Sequence, residues 1–109
     1  MTDKIIVFST CATEADAERM ARALVAGRLA ACVSIARGLR SYYHWKGELE
    51  ASDEFLLIVK TSRELFPALN AEMAKLHPYE VPELLAVPVV DGAENYLSWL
   101  QANLRGALK

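Results

Sequence analysis

Seven consecutive residues, His77-Pro78-Tyr79-Glu80-Val81-Pro82-Glu83, put an imidazole, a phenol and two carboxylates on a stretch of chain stiffened by two prolines. Proline fixes its own φ and pushes the preceding residue out of the helical region. His77 and Val81 are therefore expected to be extended, and a helix arriving at Leu76 must stop there. Stiff backbone carrying ligand-type side chains loses little entropy on binding. The same stiffness also serves a plain helix-to-strand connector whose polar groups are merely solvated.

Metal binding is the first chemistry these residues suggest. His77 sits in a loop, which makes it the more exposed imidazole by context, and Glu80 and Glu83 lie close in sequence. Cys11 or Cys32 could approach from the sheet. An imidazole with a thiolate suits copper or zinc, whereas carboxylates alone suit harder ions. No CxxC pair and no Cys/Cys/His/His spacing occurs, so the residues point to a weak or inter-subunit site rather than a closed structural one. The plain alternative for both thiols is a small, buried, hydrophobe-like side chain in a reducing compartment.

Catalysis finds no support. Ser9 and Ser34 lack a G-x-S-x-G setting, no Cys/His pair is adjacent, and Glu80 and Glu83 are separated by a proline. The glycines at 27, 38, 47, 92 and 106 are scattered and form no phosphate loop. Lys60 interrupts the end of an apolar strand; near the proline loop it would offer a cation to an anionic ligand. In Tyr42-Tyr43-His44-Trp45, strand alternation puts Tyr43 and Trp45 on one face and Tyr42 and His44 on the other. Interface packing is the expectation for all four.

The elements that must position these groups follow from periodicity. Ile5 to Phe8 reads as a buried strand. Thr13 with Asp16 resembles a capping arrangement, and Ala17, Met20, Ala21, Leu24 and Val25 repeat at helical spacing until Gly27, expected to take the left-handed position that ends the helix. Ala30 to Ile35 is a second strand. Gly38 marks a bend or bulge, Leu39 to Trp45 continues extended, and Lys46-Gly47 turns the chain back into Glu48-Leu49-Glu50. The far arm runs to Thr61, and its five-residue apolar run Phe55 to Val59 calls for cover on both faces. Ser62 is expected to cap a helix striped by Leu65, Leu69, Met73 and Leu76. Leu84 to Val87 follows the proline loop as a last core strand, with Pro88 at its end or on an edge. Tyr96, Leu97, Leu100 and Leu104 define a terminal amphipathic helix.

The expected fold is thus α+β: a ferredoxin-like βαββαβ sandwich with an additional C-terminal helix, one domain over residues 1–109. With 53% apolar residues in a short chain, apolar surface is left for a partner, most simply copies of itself covering the second sheet face. The charges, 12 basic and 14 acidic, are interspersed, and the absence of a basic stripe argues against nucleic acid. No run spans a membrane, and the opening residues lack a secretory pattern, which points to the cytoplasm.

Four blocks then become recognisable together: Arg28-Leu29-Ala30-Ala31-Cys32-Val33, Tyr42 through Glu50, His77 through Leu84, and Tyr96-Leu97-Ser98-Trp99-Leu100. They strongly resemble the CutA family of divalent-cation tolerance proteins, from about Ile5 to Leu104. The resemblance implies a cytoplasmic homotrimer in which strands pair between neighbours, and a link to copper or another divalent cation, weakly bound. By position it implies a metal site at His77 with Cys32 and Cys11. Where some members carry a cysteine at the end of the first strand, this chain has Ser9, and where they carry a second histidine it has Leu76. The trimer is also similar in architecture to PII signalling proteins. That likeness implies a second reading, a small-molecule effector held in an inter-subunit cleft lined by Trp45, Lys60, Tyr79, Glu80 and Glu83.

Overall fold

Thr13 shows how closely local chemistry sets the elements: its hydroxyl accepts from the Asp16 amide at 3.1 Å and caps the first helix. A computed structural model describes residues 2–106. In chain order it contains β1 (Lys4–Cys11), α1 (Glu14–Ala26), β2 (Cys32–Trp45), β3 (Glu48–Ser62), a 3₁₀ turn (Arg63–Leu65), α2 (Phe66–Leu76), β4 (Leu85–Pro88) and α3 (Glu94–Ala102). The four strands form one antiparallel sheet in the order β2-β3-β1-β4. This is the mixed α+β order expected from the sequence, with α3 appended.

Gly27 ends α1 differently from expectation. Its own φ is −81°, and Arg28 takes the left-handed position at φ 56°. Glycine is favoured there by space, because a Cβ would sit 3.3 Å from the Ala23 carbonyl oxygen. Ser62 stands at the start of the 3₁₀ turn, yet its side chain makes no capping hydrogen bond. Helix α2 instead begins with Pro67 in its first turn, where a missing N–H is harmless.

The hairpin behaves as its sequence signals. Lys46 and Gly47, at φ 51° and 83°, both occupy the left-handed region between the paired Trp45 and Glu48, the geometry that matches strand twist in a two-residue turn. Gly38, at φ 82°, lies in a bulge where the β2–β3 register shifts between Ala36 and Leu39.

Register decides where the core sits. Ile5, Val7, Ser9 and Cys11 of β1 pair with Thr61, Val59, Leu57 and Phe55 of β3, so alternation turns all eight to one face. There Ile5, Val7, Leu57 and Val59 join Ala17, Met20 and Leu24 of α1 and Leu69 and Met73 of α2 in one buried cluster. Leu100 and Leu104 form a smaller cluster with Ala31.

The opposite face carries Ile6, Phe8, Leu56 and Ile58, all half-buried. The last strand departs from the expected core strand. β4 is an edge strand whose residues are all exposed, Leu85 by 61% and Val87 by 41%. The apolar run of β3 therefore has one face covered by the chain itself and one left open.

Candidate functional site

The hairpin, from Glu54 out to Trp45 beside its turn, and the proline loop flank a cleft of about 630 Å³. The loop supplies Tyr79, Glu80, Val81 and Glu83; the hairpin strands supply Ser41, Tyr42, Tyr43, Trp45 and Glu54; Thr10 lies between them. Four of the five cleft residues expected from the sequence are brought together here: Trp45, Tyr79, Glu80 and Glu83. Lys60 does not line it. It lies six residues along β3 from Glu54, about 20 Å at strand spacing. Within one chain Lys60 therefore stands apart from this cleft.

His77 positions the loop. Its backbone is extended, as its place before a proline requires, but its ring is buried at 7% exposure, which corrects the exposed imidazole expected from loop context. The Tyr79 amide donates to Nδ1 at 3.1 Å, and Nε2 lies 2.8 Å from the Thr10 carbonyl oxygen. With Nδ1 accepting, Nε2 must carry the proton and donate to that carbonyl. Both nitrogens are occupied, so this imidazole has no lone pair to give a metal. The ring clips the end of β1 to the proline loop and packs on the Tyr79 ring at 4.8 Å between centroids.

Tyr79 then donates its hydroxyl to Glu54 Oε2 at 2.6 Å. Burial pushes its pKa well above the ordinary tyrosine value, and the hydrogen bond and charge of Glu54 push it further. The phenol stays a neutral donor. Glu54 itself is only 6% exposed. It was missed from sequence, although a carboxylate heading the apolar run Phe55 to Val59 is a signal, since buried acids are rare. Tyr42 and Tyr43, expected at an interface, line the cleft of the single chain and remain exposed there.

The two cysteines part company. Cys11 pairs with Phe55 and Cys32 with Lys60, five positions apart on β3. That spacing is about 17 Å along the strand, and its odd count turns the side chains to opposite faces. Cys11 is fully buried, with Sγ 3.5 Å from the Thr13 carbonyl oxygen, and burial raises its pKa. Cys32 is half-buried on the open face, where Lys60 Nζ lies 3.6 Å from its sulfur and 2.9 Å from Ser34 Oγ.

Known proteins bear directly on this arrangement. The family model described as CutA1 divalent ion tolerance protein matches residues 5–103. The chain belongs to that family. The divalent-cation tolerance protein CutA of Thermus thermophilus is 47% identical over 98 residues, 90% of this chain and 95% of that one. The crystal structure of CutA from Xylella fastidiosa matches with a TM-score of 0.92 at 39% identity, over 94% of this chain and 99% of that one. A protein of Archaeoglobus fulgidus described as periplasmic matches at 34% identity and a TM-score of 0.88, over 92% and 97%.

For a CutA family member, the fit to a divalent ion is specific in what it lacks. His77 has both nitrogens engaged, and Cys11 and Cys32 lie on opposite faces. Among the described residues no three His, Cys, Asp or Glu side chains group closely enough to hold a metal ion. The expected His77, Cys32 and Cys11 set does not form a site within one chain.

Proposed function

We propose that this protein serves divalent-cation tolerance as a cytoplasmic homotrimer, with Cu²⁺ as the ion it meets, held weakly and without catalysis. The observation that carries this reading is membership of the divalent ion tolerance family across residues 5–103. Self-association is supported by the open sheet face, where Ile6, Phe8, Leu56 and Ile58 adjoin the exposed Leu85 and Val87. Copies of the chain covering that face would take this apolar surface out of water. The cytoplasm is supported by the two free cysteines, which a reducing compartment keeps as thiols. With no chelate inside one chain, Cys32 is the less buried of the two thiols, and a single soft donor gives weak affinity.

Calorimetric titration of Cu²⁺ into the wild type, Cys32→Ser and His77→Ala tests this. Binding lost in Cys32→Ser and kept in folded His77→Ala is the expected result. Binding kept in Cys32→Ser and lost in folded His77→Ala would overturn the assignment of the donor.

A further inference from the structure

We infer that Glu54 of one copy meets Lys60 of the partner subunit, so that assembly brings a cation to the cleft beside the proline loop. This rests on the homotrimer reading and deepens it, by naming the charged contact that sets how the copies join. Within one chain Glu54 and Lys60 stand six residues apart on β3, about 20 Å at strand spacing. The even count turns both to the open face, with Leu56 and Ile58 between them. An apolar centre thus carries a carboxylate at one end and an ammonium at the other.

Neither charge is matched inside the chain. Glu54 is only 6% exposed, yet among the described residues it forms no ion pair, and the Tyr79 phenol that donates to it is neutral. Lys60 is half-buried and likewise forms no ion pair among the described residues. Its ammonium carries three protons; Ser34 Oγ and Cys32 Sγ take two, which leaves one for a further acceptor. A buried carboxylate without a cation is unfavourable, and an assembly that brings one relieves the penalty. Glu80 and Glu83 strengthen the preference, because they add two carboxylates to a lining that holds no lysine, arginine or histidine. One chain cannot make this contact by itself, since β3 holds the two residues apart.

Their separation along one face also sets the symmetry. The acidic end of one face against the basic end of the next is a head-to-tail contact, and such contacts close into a ring when the rotation permits. A ring of three then holds three identical Glu54–Lys60 pairs. Sliding one face along another strands Glu54 without its cation, so the pair penalises wrong registers as well as joining the right one.

Sedimentation equilibrium of the full chain at low ionic strength tests the pair. A wild type that stays a single chain would overturn the homotrimer reading and this contact with it. With an assembled wild type, Glu54→Lys and Lys60→Glu are each expected to raise the concentration of half-dissociation by at least ~10-fold. The double variant Glu54→Lys/Lys60→Glu restores opposite charges and should regain most of that loss. Glu18→Lys, the same change of charge at an exposed position of α1, should leave assembly as it is. Reversals without effect, a double variant that assembles no better than the worse single one, or equal weakening by Glu18→Lys would overturn the pair and leave the trimer standing. Should a reversal fail to fold, the wild type carries the test. A carbodiimide joins a carboxylate to an amine only where the two touch, and mass spectrometry should find the Glu54–Lys60 amide in covalently linked dimers and trimers. Linked chains without that amide, or no linked chains, would overturn the inference.

Discussion

The two faces of the sheet are built from the same strands and meet opposite conditions. On one, Leu57 and Val59 are wholly buried beneath α1 and α2. On the other, Leu56 and Ile58, their immediate neighbours in β3, remain partly exposed, and the edge strand adds Leu85 and Val87. Each face also carries a thiol and a serine: Cys11 and Ser9 on the covered side, Cys32 and Ser34 on the open one. The difference teaches that an apolar run records the cover a strand has in the working molecule. A single chain supplies only half of the cover that Phe55 to Val59 asks for, and the proposed homotrimer supplies the rest.

The sharpest way to break that comparison is a pair of substitutions one residue apart. Leu57→Ala opens a cavity in the covered core and is expected to remove about 3 kcal/mol or more of stability, at any protein concentration. Ile58→Asp puts a charge on the open face, where the lone chain can still solvate it. It is expected to dissociate the assembly and leave a folded single chain. Urea unfolding at two protein concentrations, with sedimentation for size, separates the cases. Ile58→Asp that sediments as the wild type does would remove the open face from the interface.

The thiols give a smaller effect and sharpen the same contrast. Burial both hides Cys11 and holds its thiol protonated, so a thiol reagent should reach it only through unfolding. Cys32 is half-buried beside the Lys60 ammonium. In the dissociated Ile58→Asp protein, Cys32 should react at least ~10-fold faster than Cys11. In the assembled wild type that advantage should shrink, because copies cover the open face. Mass spectrometry of the labelled chain reads both rates, and faster reaction at Cys11 would contradict the assignment of the faces.

Much of the fold was legible because periodicity and turn chemistry are local. Thr13 and Lys46-Gly47 each announced an element boundary, and Gly38 a bulge within β2, that the structure bears out. β4 was misjudged because an apolar tetrapeptide reads alike in a core and on an edge awaiting a partner. The site was only half legible. Tyr79, Glu80 and Glu83 line one cleft of the single chain because neighbours in sequence on a stiff loop are neighbours in space; the cleft expected for them was one between subunits. Glu54 was missed, and the place of Lys60 outside this cleft was not foreseen, because their distance from that loop depends on strand register, which links residues far apart in the chain. His77 fell between the two. Its extended backbone followed from Pro78, while its burial against the Thr10 carbonyl is a long-range contact that no local pattern carries.

The smallest effect pits one serine against the other. Ser9 Oγ is fully buried, and among the described residues no protein group lies within hydrogen-bonding reach of it. A buried hydroxyl without a partner costs more than an apolar group of similar size. Ser9→Ala should therefore raise stability by about 1 kcal/mol. Ser34→Ala should act in the other direction, because Ser34 Oγ accepts from Lys60 at 2.9 Å, and losing that bond should cost about 0.5–1 kcal/mol. Paired urea unfolding curves measure both. Opposite signs would mean that the covered face tolerates a polar group as a defect while the open face uses one. A loss of stability at Ser9 would instead mean that its hydroxyl is hydrogen-bonded in solution, making the centre of the covered face a polar position rather than a purely apolar one.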